Sequence, residues 1–193
     1  MTVSTIDVNE IFTEITVNDE YERFMEFVEN NIRISHLVEG KIPLTLNDFQ
    51  IELAKYYFDN KHTIAKSERQ SGKTTVGALI CLWFAMFHPN STILVVTDKS
   101  IMYGEIINTI KYFYESIDNA STAKIPVFKY DKSSIEFANG SKIVGRVLNK
   151  DVSRGLSVQM LYMDEVGTKI SNEVRVPLLW SMSKNGKSLS LYS

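Results

Sequence analysis

The run Ser67 to Thr75, SERQSGKTT, concentrates a lysine, an arginine, a glycine and four hydroxyl side chains in nine residues. It follows a short apolar strand candidate, Thr63 to Ala65, and opens an apolar helix candidate, Thr74 to Phe87. Glycine, lysine and a hydroxyl residue at a strand-to-helix turn suit a triphosphate. Backbone N–H groups at the helix N-terminus point at the anion, and the helix dipole favours its charge. Lys73 is placed to reach the β- and γ-phosphates, and the Thr74 hydroxyl to ligate Mg²⁺. Ser71, Gly72 and Thr75 complete the nucleotide-binding turn. The usual leading glycine is missing, because Ser67 stands five residues before Gly72. Arg69 sits inside the loop instead, where a guanidinium would neutralise charge developing on a transferred phosphoryl group. Gln70 either contacts phosphate or finishes the turn.

A second cluster lies in LYMDE, Leu161 to Glu165, about ninety residues downstream. Acids at the carboxyl end of a core strand sit at the mouth of an α/β sheet, where ligands bind. Asp164 would hold Mg²⁺, directly or through water. Glu165 is placed to accept a proton from the water that attacks the γ-phosphate. Arg154, in DVSRG, precedes this strand on a loop that Gly155 turns tightly. It is either a solvated loop charge or an arginine offered to a neighbouring subunit's nucleotide. In LNDFQ, Leu46 to Gln50, the Gln50 amide carries one acceptor and two donors, a match for the edge of adenine.

The elements that must position these groups read as an α/β rhythm. From Asp19, the spacing Tyr21, Phe24, Met25, Val28, Ile32 predicts an amphipathic helix with an acidic outer face, preceded by an eighteen-residue arm. Lys41 to Leu44 reads as a linker, and Asn47 or Asp48 caps a helix running to about Phe58. Thr92 to Thr97 (TILVVT) is a continuous apolar run, as expected of a parallel strand covered on both faces. A helix from about Lys99 to Ile117 follows. Ser134 to Phe137 and Lys142 to Val147 flank Asn139-Gly140, a strong hairpin signal. Val158 to Met163 is another buried strand, Glu173 to Ser183 a last helix, and Leu189 to Ser193 the start of one more strand. The expected domain units are residues 1–45, an acidic arm and helix, and residues 46–193.

Composition narrows the class. At 193 residues and 44% hydrophobic, the chain can bury one full core. The longest apolar run, Val76 to Phe87, is too short for a membrane span. One cysteine, Cys81, and three scattered histidines make no zinc or disulfide framework, which suits a reducing cytosol. Cys81 reads as a small core residue, with a reactive thiol as the alternative. Residues 1–40 hold nine acids against Arg23 and Arg33, whereas the rest holds fourteen acids against nineteen Lys and Arg. The basic body suits a polyanion such as DNA or an ordinary solvated surface.

From Leu46 onward the chain resembles the large terminase subunit of tailed bacteriophages, of the T-even type. LNDFQ, the glycine-poor loop SERQSGKTT, SIEFANGSKIVGR, DVSRG and LYMDE carry the resemblance, in that order. It implies a P-loop NTPase fold with a catalytic glutamate and a mostly parallel central sheet flanked by helices. The implied activity is ATP hydrolysis that drives double-stranded DNA into a capsid. The implied cofactors are ATP and Mg²⁺. The implied partners are DNA, a portal protein and a small terminase subunit, with a homo-oligomeric ring on the portal, in the host cytoplasm and away from membranes. The roles that match are Lys73 and Thr74 as nucleotide and Mg²⁺ ligands and Asp164 as the second Mg²⁺ contact. Glu165 matches the catalytic glutamate, Arg69 the loop arginine, Gln50 the adenine reader and Arg154 an arginine acting in trans. The chain is expected to stop at or just before the coupling strand that follows Walker B, and to lack the acidic nuclease domain. It therefore reads as C-terminally truncated and unable to cut DNA. The alternatives are another helicase-like, DNA-dependent ATPase and a non-catalytic nucleotide-binding interaction fragment.

Overall fold

The computed structural model describes residues 8–166 and 171–192. Its centre is a seven-stranded sheet built around the all-apolar strand β4 (Thr92–Thr97), every residue of which is buried. With β1 (Arg33–His36) and β2 (Gly40–Pro43) forming a separate hairpin, the sheet strands are β3 (His62–Lys66), β4, β5 (Val127–Tyr130), β6 (Ser134–Phe137), β7 (Lys142–Val147), β8 (Val158–Asp164) and β9 (Met182–Tyr192). They lie in the order β3-β9-β8-β4-β7-β6-β5. The pairs from β3 through β7 are parallel, and β6 and β5 add on antiparallel.

Side-chain alternation divides the core between the two faces of the sheet. Ile93, Val95, Met160 and Tyr162 join the cluster that contains the helices α1 (Val8–Asn31), α2 (Asp48–Asp59), α3 (Lys73–Phe87) and α4 (Ser100–Ser116). Leu94, Val96 and Leu161 join a smaller cluster with Val152 and with Leu178 of α5 (Asn172–Trp180). α3 is apolar nearly all round and buried from Val76 to Met86, as a helix must be when it is packed on every side. Its last turn is tied down by the Asn139-Gly140 hairpin. Asn139 Nδ2 donates to the carbonyls of Ala85 (2.9 Å) and Met86 (3.2 Å), and Ser141 Oγ donates to Ala85 O. Cys81 is fully buried, and burial pushes its thiol well above the ordinary range, which makes it a core residue rather than a nucleophile.

Several expectations are corrected. The first helix begins at Val8, so most of the expected arm is helical; residues 1–7 lie outside the described residues. Its apolar stripe enters the main core, with the ring of Phe24 5.1 Å from Phe58 and 6.1 Å from Trp83, while Glu22, Glu26 and Glu29 face outward. Glu20 turns inward, 3.2 Å from His88 Nε2 at the end of α3 and 3.6 Å from Lys187 Nζ of β9. The segment read as a linker is strand β2, paired Ile34 to Ile42 across a turn in which Gly40 takes φ +76°. β5 was not anticipated. The last helix ends at Trp180, before the expected Ser183. The final strand runs from Met182 through eleven residues and lies between β3 and β8, parallel to both.

Candidate active site

Parallel pairing brings the C-terminal ends of β3, β9, β8 and β4 to one rim. Lys66 pairs with Tyr192, Leu191 with Asp164, and Asp164 with Thr97. The rim is stitched where β3 becomes the loop and where β8 ends: Ser67 N–H donates to Tyr192 O (3.2 Å), and Glu165 N–H to Leu191 O (2.8 Å). The sequence-expected loop and the two acids therefore share the edge at which α/β sheets bind ligands.

The loop coils through left-handed backbone at Gln70 (φ 65°) and Gly72 (φ 86°) before α3 begins at Lys73. Glycine takes that conformation at no steric cost, whereas a glutamine there is held against its preference. Glu165, at φ 58°, is a second non-glycine held in left-handed backbone at this rim. Lys73 is buried, and its Nζ donates to the carbonyls of Ser67 (2.9 Å) and Glu68 (3.1 Å). Glu165 Oε1 lies 3.9 Å from the same nitrogen. Ser67 Oγ and Ser71 Oγ are 2.7 Å apart and close the loop across its base. Thr74 and Thr75, half-buried, occupy the first turn of α3. Arg69 is exposed at the mouth and, with Lys66, Ser67 and Glu68, lines a cleft of about 510 Å³.

Asp164 is buried, and burial, reinforced by the charge of Glu165, raises its carboxyl to about 6. Its Oδ1 has no hydrogen-bond partner among the described residues. A buried, unpaired carboxylate oxygen beside the Thr74 hydroxyl is a pair of hard oxygen donors, the set that Mg²⁺ takes alongside substrate phosphates. The residues present fit that ion.

Gln50 is at the loop, but its amide is engaged inside the protein. Oε1 accepts from Asn47 N–H (3.0 Å) in a capping box at the start of α2, and Nε2 donates to Gly72 O (3.1 Å). Asn47 Nδ2 adds a longer bond to Ser71 O (3.4 Å). Sequence reasoning read Asn47 only as a cap; here the α2 cap also clamps the loop. Arg154 stands apart from this constellation. It lies on the turn between β7 and β8, 82% exposed, 3.4 Å from Asp151. Arg146 Nη1 holds that turn through Val152 O (2.8 Å) and Arg154 O (3.2 Å). A residue that sequence reasoning passed over is Tyr162, treated as strand filling. Its signal is Gly77, a glycine inside a helix that implies close approach: a Cβ there would stand 2.7 Å from the Tyr162 hydroxyl.

No protein-family model matches the sequence. Among solved structures the chain is similar to the large terminase of bacteriophage HK97, at 16% identity and a TM-score of 0.71 over 89% of this chain and 37% of that one. It is similar to the ATPase domain of the large terminase of Thermus phage P74-26, at 14% identity and a TM-score of 0.58 over 78% and 64% of the two chains. The UvsW helicase of bacteriophage T4 also matches, at 12% identity and a TM-score of 0.62 over 89% and 59%. The chain thus spans less than two thirds of each of these three chains. Its structural neighbours include phage large terminases, and the fold it carries is the α/β P-loop ATPase fold that they share with a phage helicase.

Proposed function

We propose that this chain is the ATP-binding and ATP-hydrolysing motor portion of a phage large terminase, driving double-stranded DNA into a capsid. The observation that carries the reading is the convergence of Lys73, Asp164 and Glu165 on one rim at the N-terminus of α3, with Lys73 and Glu165 3.9 Å apart. The N–H groups of Gln70 to Thr75 would receive the ATP phosphates, with Lys73 neutralising the β- and γ-oxygens. Thr74 and Asp164 would hold Mg²⁺, which would offset phosphate charge. Glu165 takes the proton of the attacking water. Arg69 supplies positive charge in cis, and Arg154 projects toward the nucleotide of a neighbouring copy in a ring. DNA, a portal protein and a small terminase subunit are its partners in the host cytoplasm. The position of β9 beside β8 supports coupling of hydrolysis to movement through that strand.

Calorimetric titration of MgATP into the chain, with phosphate release measured with and without duplex DNA, tests the reading; no MgATP binding would sink it. The likeness to a helicase favours a second reading, a DNA-dependent ATPase that opens duplexes. Strand separation by the chain in a fluorescent unwinding assay would select it over packaging.

A further inference from the structure

The Tyr162 hydroxyl is fully buried and, among the described residues, has no hydrogen-bond partner. Leaving such a group unpaired costs about 1–3 kcal/mol, so its presence needs a reason. A phenylalanine would fill the same space without that cost. Tyr162 and Asp164 are two residues apart on β8 and project from the same face, toward α3. Across from them Thr74, Gly77 and Cys81 form one stripe of α3. The Tyr162 ring reaches its position only because Gly77 has no side chain: a Cβ there would lie 2.6–2.9 Å from Cζ, Oη and Cε2. The hydroxyl so placed lies close to the side chains of both Thr74 and Asp164. Asp164 Oδ1 is another buried oxygen here that has no hydrogen-bond partner among the described residues.

We propose that Tyr162 is a positioning residue for the metal-binding pair, its hydroxyl bridging Thr74 and Asp164 and fixing the orientation of both. A phenol has one proton to give and lone pairs to accept with. With the metal site filled, its O–H would donate to the Asp164 carboxylate, a charge-assisted bond that would hold the carboxylate in one rotamer. In that state its oxygen would accept the Thr74 proton, turning a Thr74 lone pair outward to the phosphate side. Gly77 belongs to the same device, since it keeps the slot for the ring open. This inference rests on the proposed nucleotide site.

The test compares Tyr162→Phe with the wild-type chain by calorimetry, once with MgATP and once with ATP in excess EDTA. Melting of the ligand-free chains is recorded beside it. Loss of a group that orients a metal ligand typically costs 10- to 100-fold in metal affinity. The variant is therefore expected to bind MgATP about 10-fold more weakly, with metal-free ATP affinity unchanged and a melting temperature equal to or above wild type. An unchanged ratio of the two affinities overturns the proposal. So does an equal loss with and without metal accompanied by a lower melting temperature, the mark of a merely structural tyrosine. Failure of the wild-type chain to bind MgATP would overturn the proposed function and this inference with it.

Discussion

Lys73 Nζ lies 3.9 Å from Glu165 Oε1, so the cation suited to a phosphate faces the carboxylate suited to a water. The lysine is buried, its partner half-buried, and two loop carbonyls share the ammonium with the glutamate. At the proposed nucleotide site a γ-phosphate entering this loop would compete with Glu165 for the same cation.

The first prediction follows from that competition. Glu165→Gln removes the competing charge, so MgATP binding is expected to be retained or strengthened several-fold. Turnover should fall by about 10²- to 10⁴-fold, the usual contribution of a general base. Lys73→Ala should abolish detectable binding. Calorimetry and phosphate release on the three proteins check this, and a Glu165→Gln chain that hydrolyses at the wild-type rate removes the glutamate from the mechanism.

Asp164 makes stability depend on pH in an unusual direction. Its carboxyl is raised from 3.8 to about 6, first by burial and then by the charge of Glu165. The folded chain therefore binds a proton more tightly than the unfolded chain between those two values. Stability from this group is highest below pH 3.8 and falls as pH rises to about 6, by about 3 kcal/mol at 1.36 kcal/mol per unit. Asp164→Asn in EDTA should match wild type at pH 3.5 and exceed it at pH 7.5. Denaturant melts at both values measure the gap. A difference that does not change with pH would show that Asp164 is not strained in this way.

Much of this was readable because chemistry and burial coincided in the sequence. TILVVT reads as a central strand because all six residues are buried, and Asn139-Gly140 reads as a turn because Gly140 takes φ +81°. The first half of β9 hid for the opposite reason. Lys184 and Asn185 are exposed at the sheet's rim, and Asn-Gly inside a strand mimics a turn. β5 is an edge strand with Phe128 pointing to solvent, so no alternation marks it. Lys73, Asp164 and Glu165 were legible from residue type and spacing. The uses of Gln50 and Tyr162 were not, because each depends on a contact with a distant glycine, Gly72 in one case and Gly77 in the other.

Gln50 yields a prediction about specificity. Its amide ties the α2 cap to Gly72, so Gln50→Ala frees both Asn47 N–H and Gly72 O. Stability is expected to drop by about 1–3 kcal/mol, the cost of two unmade bonds in a half-buried setting. Because the loop loses its clamp, affinity for ATP and GTP should fall together. Competition titrations with both nucleotides decide the matter. A selective loss for ATP would instead assign the amide to the adenine edge.

Arg69 and Arg154 separate by concentration. Arg69 lies in the loop itself, so its charge is available within one chain. Arg69→Ala is expected to retain most nucleotide affinity and lose about 10³-fold in turnover at every protein concentration, the lower range for an arginine finger. Arg154 is 82% exposed, and its exposed ion pair with Asp151 holds it only weakly. It can leave that aspartate for a phosphate on another copy at little cost. Arg154→Ala should therefore match wild type in dilute solution and fall behind only where rising concentration, or a portal ring, raises the wild-type rate per chain. Phosphate release measured across a hundred-fold range of chain concentration distinguishes the two. A deficit in Arg154→Ala that is the same at all concentrations would place its effect within the chain and remove the in-trans role.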